Sequence, residues 1–190
     1  MLKIIFLDFD GVITIPETRY NISLEKVKLI EEIIKDTDAK IVISSTWRTG
    51  CKNREDFVNK LLVSWREITS GLEKDSIFVN AIYDVTDREG KDRGEEIQRW
   101  LDIHEDEVES YAILDDDCDM LDNQLFNFVQ TDGFEGITKR EAKLCKKILN
   151  NEKIDQPIRL NFVLLFKWYD RNSGRESNID ELLKEYRNKF

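Results

Sequence analysis

Oxygen-bearing side chains follow three short apolar runs of this sequence. Carboxylates that are brought close together repel one another, and a hard divalent cation relieves that repulsion. Mg²⁺ takes one or two carboxylates together with waters and the phosphate oxygens of a substrate. In chain order the side chains are Asp8 and Asp10 after residues 3–7 (KIIFL), Ser44 after residues 39–43 (AKIVI), and Asp115 and Asp116 after residues 111–114 (YAIL).

The three apolar runs predict strands that are covered on both faces, as in parallel sheets. Ligands of open α/β sheets bind at the carboxyl ends of the strands, so this fold would bring the two acidic groups and Ser44 together. Residues 77–83 and 125–130 are weaker strand candidates.

Amphipathic patterns between these runs predict helices. Strand and helix therefore alternate, which favours a doubly wound α/β sheet with right-handed crossovers. The patterns are Leu24, Val27, Ile30, Ile33 and Ile34 after a cap at Ser23; Phe57, Leu61 and Trp65; Ile97, Trp100 and Leu101; and Leu144, Cys145, Ile148 and Leu149 after a capping box formed by Thr138 and Glu141.

The composition of the chain argues against several kinds of function and site. The chain of 190 residues has a net charge of −10, which argues against broad nucleic-acid affinity, and its single histidine, His104, argues against histidine-based triads. Its three cysteines are too widely spaced for a metal site of the CxxC type. The apolar runs are too short to span a bilayer and the N-terminus does not resemble a signal peptide, so we expect a cytoplasmic protein without membrane contact.

The pattern changes near Asn150. Residues 1–149 form the predicted catalytic domain, and residues 150–190 form a C-terminal extension that includes an apolar stretch (158–169), a polar loop (171–178) and an amphipathic helix from Ile179. We expect this extension to pack on the core, or else to form a dimer or partner surface.

Four segments, in order, resemble the motifs of the haloacid dehalogenase-like (HAD) phosphohydrolases. Together they resemble the HAD domain of Swiss-army-knife RNA repair proteins, and the resemblance covers roughly residues 1–149. The resemblance implies a Rossmann-like sheet. The segments are LDFDGV, IVISSTWR, RGEEIQRWL and YAILDDD, followed by QTD and GIT.

The resemblance implies roles for the acidic residues. Asp8 would be a nucleophile that forms an aspartyl-phosphate, and Asp10 would act as general acid and then as general base. Mg²⁺ would be held by the Asp8 carboxylate, the Asp10 backbone carbonyl and a carboxylate of the fourth motif. We favour Asp116 for that last ligand, with Asp115 in support.

The remaining predicted site residues would contact the phosphate. Gly11 permits close approach of the backbone, and Ser44, or alternatively Ser45, would bind a phosphoryl oxygen. Either Lys91 or Arg93 would be the basic residue of the third motif.

Two further side chains near these motifs have alternative interpretations. Arg48 either reaches the substrate phosphate or forms a structural ion pair. Trp47 is either a packing residue, which we favour, or a surface on which the substrate stacks.

The substrate is expected to be bulky because the sequence leaves room for only a minimal cap. A nucleic-acid 3′-phosphate end fits the resemblance, whereas the net charge disfavours it. We therefore predict a Mg²⁺-dependent phosphomonoester hydrolase. The alternatives are a phosphotransferase, and a catalytically silent phosphate-binding or protein-interaction module.

Overall fold

The computed structural model describes residues 1–64 and 71–153 of the chain. The described residues belong to one compact unit, Met1–Lys153. Trp65 and the C-terminal features predicted beyond residue 153 lie outside the described residues, so those predictions are not addressed by the structure.

The predicted parallel sheet is confirmed. It has five strands, all paired in parallel, in the spatial order β3-β2-β1-β4-β5. The central strand is fully buried from Ile4 to Leu7, which explains why it reads as a continuous apolar run. The strands are β1 (Leu2–Leu7), β2 (Lys40–Ile43), β3 (Ile82–Val85), β4 (Val108–Asp115) and β5 (Phe128–Gln130).

Helices connect the strands, and two of the predicted caps are present. Ser23 Oγ accepts a hydrogen bond from Lys26 N, and Thr138 and Glu141 form the capping box. The α-helices are α1 (Leu24–Thr37), α2 (Arg54–Asn59), α3 (Ile77–Ala81), α4 (Arg93–Ile103) and α5 (Lys139–Leu149). Shorter 3₁₀ turns occupy Pro16–Thr18, Thr46–Arg48 and Asp122–Gln124, and Lys60–Ser64 is π-helical.

The helices α4 and α5 cover opposite faces of the sheet. Tyr111 of β4 packs with Phe6, which in turn meets Trp100 of α4 with ring centroids 5.4 Å apart. The neighbouring residue, Ser110, donates a 2.7 Å hydrogen bond to the Leu149 carbonyl of α5. Successive strand residues point to opposite faces, so the sheet is wound on both sides.

The two weaker strand predictions were only partly correct. Residues 77–81 form a helix because the Ser76 hydroxyl accepts from Val79 N and starts a helical turn, and the strand begins only at Ile82. In the segment 125–130 the strand begins only at Phe128. Residues 125–127 form a turn instead, which is closed by a hydrogen bond from Asn127 N to the Gln124 carbonyl.

The strand order positions the site. The strands β2 and β4 flank β1, so the residues that follow all three strands meet at one edge of the sheet. Between β1 and β2 the chain forms little beyond α1, and the described residues between β2 and β3 form short helices, which fits the expected minimal cap. None of the helices in residues 1–64 and 71–153 has the length and hydropathy needed to cross a bilayer.

Candidate active site

Asp8 lies at the end of the central strand and is 5% exposed. Its backbone N–H donates to the Leu114 carbonyl of β4, which fixes the residue against the neighbouring strand. Its Oδ1 accepts a 2.6 Å hydrogen bond from Arg93 Nη1. Burial raises the pKa of Asp8 above its usual value, although the charge of Arg93 and a hydrogen bond with Ser45 act in the opposite direction.

Three carboxylates converge at this edge of the sheet. Asp8, Asp115 and Asp116 each present an oxygen, and these oxygens lie within 4.8 Å of one another. Burial, and then the charge of Asp8, raise the pKa of both Asp115 and Asp116, because each ionised carboxylate is disfavoured by its surroundings. A hard cation relieves this repulsion, and the all-oxygen donor set suits Mg²⁺.

The two fourth-motif carboxylates have different surroundings. Asp115 is fully buried, its Oδ1 accepts from Asp117 N at 2.9 Å, and its Oδ2 lies 3.3 Å from Arg93 Nη1 without a hydrogen-bond partner among the described residues. Asp116 is half-buried. Asp116 is therefore open to a ligand from solvent, while Asp115 is already engaged with the cation of Arg93.

Arg93 is the basic side chain that reaches the carboxylates. Its Nη1 contacts Asp8, Asp115 and the Ser44 carbonyl, the last at 2.8 Å. Burial opposes the charged form of Arg93, but the charges of Asp115 and Asp8 more than compensate and raise its pKa. Lys91 is exposed two residues earlier, where its backbone N–H donates to Glu95. The geometry thus favours Arg93 for the role that the sequence left open between the two.

Asp10 is not a member of the carboxylate cluster, and its carboxylate accepts hydrogen bonds from two side chains. Thr14 Oγ1 donates to its Oδ1 at 2.8 Å, and Trp47 Nε1 donates to its Oδ2 at 3.0 Å. The Trp47 ring also packs on Phe9, with centroids 5.1 Å apart. The contact between Trp47 and Asp10 was not predicted from the sequence. The two residues are 37 positions apart, so no local sequence pattern indicates that they meet.

The two serines after β2 differ in their hydrogen bonding. Ser44 is fully buried, and its hydroxyl has no hydrogen-bond partner among the described residues. The Ser45 hydroxyl accepts from Trp47 N at 3.3 Å and makes the hydrogen bond with Asp8 noted above. Ser44 therefore has spare hydrogen-bonding capacity, which is what a phosphoryl-binding hydroxyl requires.

Two glycines let the Asp116 carboxylate lie close to the backbone. Gly11 has a φ of +69°, and a Cβ added there would lie 2.3 Å from Asp116 Oδ2. A Cβ on Gly133 would lie 2.7 Å from the same oxygen. Gly11 was predicted to permit close approach of the backbone to the phosphate, and the structure places it against Asp116. Gly133 was not identified, since it follows QTD, a segment to which the resemblance assigned no role.

Arg48 does not face the site as a substrate ligand would. Its side chain is 2% exposed and pairs with Glu96 of α4. The guanidinium also donates to the carbonyls of Ser45 at 2.6 Å and Asp87 at 3.0 Å, while Nε donates to the Thr86 carbonyl at 2.9 Å. With its donors directed at these groups, the side chain has a structural role. For Arg48 the geometry therefore favours the predicted ion pair over the predicted contact with the substrate phosphate.

The N-terminus of α4, which carries Arg93, is clamped by the loop after β4. Asp119 Oδ2 accepts from Arg93 N at 3.0 Å, and Gln124 Nε2 donates to the Gly94 carbonyl at 2.8 Å. A Cβ on Gly94 would lie 2.6 Å from Leu121 N, so the two segments touch directly. This clamp couples the position of Arg93 to the loop that carries the acidic residues.

Comparison with known families gives one match. The family described as "HAD domain in Swiss Army Knife RNA repair proteins" matches residues 4–142. That range contains β1 from Ile4 onwards, all of β2 to β5, and every site residue discussed above. No curated protein and no solved structure matches the chain.

Proposed function

This chain belongs to the family of HAD domains found in Swiss Army Knife RNA repair proteins, and we propose that it is a Mg²⁺-dependent phosphomonoester hydrolase that works through an aspartyl-phosphate. The observation that carries the proposal is the placement of Asp8. Its carboxylate is ion-paired with Arg93 and lies within a cluster of two further carboxylates at the open edge of the sheet.

In the first half-reaction an Asp8 oxygen attacks the phosphorus of the substrate. The bond between phosphorus and the leaving oxygen breaks, and Asp10 donates its proton to that oxygen. Thr14 and Trp47 hold the Asp10 carboxyl in one orientation, which positions it for this transfer. Arg93 stabilises the negative charge shared by Asp8 and the transferring group.

The second half-reaction hydrolyses the aspartyl-phosphate. Asp10, now ionised, takes a proton from a water molecule, and the water oxygen attacks phosphorus. The bond between phosphorus and Asp8 breaks, which releases inorganic phosphate and restores the Asp8 carboxylate. The Ser44 hydroxyl, which is buried and has no hydrogen-bond partner among the described residues, would hold a phosphoryl oxygen through both steps.

Asp8 and Asp116 are the side chains that would hold Mg²⁺, together with the Asp10 backbone carbonyl that we predicted as a ligand. When bound, the ion neutralises charge on the phosphate and on the carboxylates around it. Asp115 supports this arrangement by binding Arg93, which keeps the guanidinium beside Asp8.

The substrate class that we propose is a bulky phosphomonoester such as a nucleic-acid 3′-phosphate end. Two points support it: the described insertions after β1 and β2 are short, and the matching family is described by RNA repair. The net charge of −10 opposes long-range attraction of a polyanion, so recognition would have to be local, at the phosphate and the adjoining group.

The proposal is tested by the release of inorganic phosphate. The panel contains 3′- and 5′-phosphorylated oligonucleotides, nucleotides, sugar phosphates and an aryl phosphate, each with and without Mg²⁺. We expect Mg²⁺-dependent release that is lost in Asp8→Asn, while thermal unfolding shows that the variant remains folded. Release that persists in Asp8→Asn would refute the nucleophile assignment. Transfer of phosphate to an added alcohol instead of water would identify a phosphotransferase.

A further inference from the structure

The two most exposed aromatic side chains among the described residues are Phe134, which is 81% exposed, and Tyr20, which is 57% exposed. Single exposed apolar side chains are common and need no explanation by themselves. These two are informative because of where they lie. Both belong to loops that follow the carboxyl ends of strands, β1 for Tyr20 and β5 for Phe134, and this is the edge of the sheet that carries the site.

The loop of Phe134 runs along the carboxylate cluster. Thr131 Oγ1 donates to the Gly11 carbonyl at 2.7 Å, which ties the start of the loop to the residue beside Asp10. Two residues later, Gly133 lies so close to Asp116 that a Cβ there would be 2.7 Å from Asp116 Oδ2. Phe134 follows Gly133 directly, and consecutive Cα atoms are about 3.8 Å apart. The backbone of Phe134 is therefore next to the glycine that lies against Asp116, a carboxylate of the proposed metal site.

The loop of Tyr20 contacts the loop of Phe134. Ile137 N donates to the Val12 carbonyl at 2.9 Å, and a Cβ on Gly136 would lie 2.9 Å from Ile15 Cγ2. The loop that begins at Ile15 is therefore in contact with the segment that follows Phe134. Tyr20 and Phe134 thus belong to two loops that contact each other through residues 12–15 and 136–137.

Backbone hydrogen bonds hold the main chain at both residues. Arg19 and Tyr20 adopt left-handed conformations with φ of 53° and 61°, and Tyr20 N donates to the Ile15 carbonyl at 3.0 Å. Asp132 Oδ1 accepts from Phe134 N at 2.8 Å. Non-glycine residues in left-handed conformations are strained, and such strain is concentrated at functional sites. Both exposed rings therefore extend from a main chain that is held by local hydrogen bonds.

We propose that Tyr20 and Phe134 form a leaving-group platform, on which the planar leaving group of the substrate stacks while its phosphate occupies the site at Asp8. The substrates selected in this way are phosphomonoesters that carry an aromatic ring near the phosphate, such as the base of a nucleotide. Stacking on an aromatic side chain is tolerant of base identity, so we expect selectivity for planar groups without preference among bases. The inference rests on the proposed phosphatase function and adds the chemical class of its substrate.

The test is a ratio of specificity constants. It compares kcat/KM for nucleoside monophosphates with kcat/KM for glycerol 2-phosphate, which has no ring. In Phe134→Ala and Tyr20→Ala we expect this ratio to fall by roughly 5- to 100-fold per ring, mainly through KM for the nucleotide. Phe134→Trp should keep the ratio. The control is Ile103→Ala, because Ile103 is 74% exposed at the other end of α4 from Arg93. An unchanged ratio in both alanine variants would overturn the platform.

A binding measurement separates failure of the platform from failure of the phosphatase. Titration calorimetry measures the affinity for a nucleoside monophosphate and for inorganic phosphate. It is carried out on the Asp8→Asn protein and on the double variant that also carries Phe134→Ala. We expect Phe134→Ala to weaken nucleotide binding only. If glycerol 2-phosphate is hydrolysed and nucleotide binding is unaffected, the platform is wrong and the phosphatase stands. If nothing is hydrolysed but nucleotide binding depends on Phe134, the platform stands and the phosphatase is wrong.

Discussion

Trp47 connects the second sequence motif to the proposed general acid. Its indole Nε1 donates to Asp10 Oδ2, while its ring packs on Phe9. A tryptophan at this position therefore supplies both a hydrogen-bond donor and apolar contact area. A packing residue alone would supply only the second.

We predict that Trp47→Phe slows turnover by roughly 10- to 100-fold, a part of the 10²–10⁴-fold that general acid catalysis typically supplies. The loss should grow as the leaving group becomes more basic, since those substrates depend most on proton donation. The measurement is kcat/KM across a series of aryl phosphates. The matched control is Trp100→Phe, which removes an indole donor to Asp84. An equal loss across the series would argue against a role for Trp47 in orienting Asp10.

Arg93 is expected to be the essential cation of the site. Arg93→Ala should lower kcat by about 10²–10³-fold, the usual cost of removing one charge-stabilising donor. Arg93→Lys should recover only part of this, because one ammonium cannot reproduce the fixed fork of a guanidinium. Lys91→Ala is the control and should retain activity. Loss of activity in Lys91→Ala with normal activity in Arg93→Ala would reverse the assignment.

At the scale of elements, Arg48 joins three segments of the fold. It links the turn after β2 to the loop after β3 through their carbonyls, and to α4 through Glu96. Because Glu96 is on the helix that begins with Arg93, this ion pair helps to fix α4 against the sheet.

We predict that Arg48→Met destabilises the fold by about 3–5 kcal/mol, because it leaves Glu96 and several carbonyls without their partner. The free energy of unfolding from urea titration is the measurement. Arg99→Met is the control, since the pairs of Arg99 with Asp87 and Glu89 are exposed to solvent and exposed pairs contribute little to stability. For the folded fraction, KM should be unchanged. A raised KM with normal stability would restore Arg48 as a substrate ligand.

The strands and helices that carry long apolar patterns could be predicted from the sequence. Both β1 and β2 are covered on two faces and contain only apolar residues over most of their length, so composition alone indicates them. The segment 77–83 could not be predicted correctly, because a short run of mostly apolar residues fits a buried strand and a short capped helix equally well. The hydroxyl of Ser76 decides between the two.

Those residues of the site that lie at the carboxyl ends of strands could be predicted from the sequence. Asp8, Asp115 and Asp116 meet because parallel strands end at one edge, a rule that needs no coordinates. The partners of these residues come from turns and helix ends, and their positions depend on side-chain packing. The contacts of Trp47 and Gly133 therefore could not be predicted, and the structural role of Arg48 could not be separated from a substrate contact.

At the scale of the whole molecule, the carboxylate cluster makes the stability of the protein depend on pH. The pKa of Asp116 is raised above its ordinary 3.8 by burial and by the charge of Asp8. An acid with a higher pKa in the folded state loses stability when it ionises, so this group destabilises the metal-free protein as pH rises from about 3.8 through the folded-state pKa. Its unfavourable contribution is fully present above that pKa.

We predict that Mg²⁺ stabilises the protein at neutral pH, by about 2.7 kcal/mol at a concentration one hundred times its Kd. Asp116→Asn should unfold at a higher temperature than the wild type without metal, and should respond much less to Mg²⁺. Thermal unfolding with and without Mg²⁺ is the measurement, and Asp117→Asn, an exposed neighbour, is the control. A full Mg²⁺ response in Asp116→Asn would move the ligand role to another residue.

The most direct test of the account is to trap the covalent intermediate on Asp8. The Asp10→Asn variant lacks the base that activates water, whereas an aryl phosphate has a leaving group that departs without a proton. Reaction of this variant with an aryl phosphate and Mg²⁺, followed by acid quench and peptide mass spectrometry, should give a hydroxylamine-sensitive acyl phosphate on the peptide that contains Asp8. Aryl phosphate hydrolysis without any phosphorylated peptide, or with the phosphate on a different residue, would contradict the account.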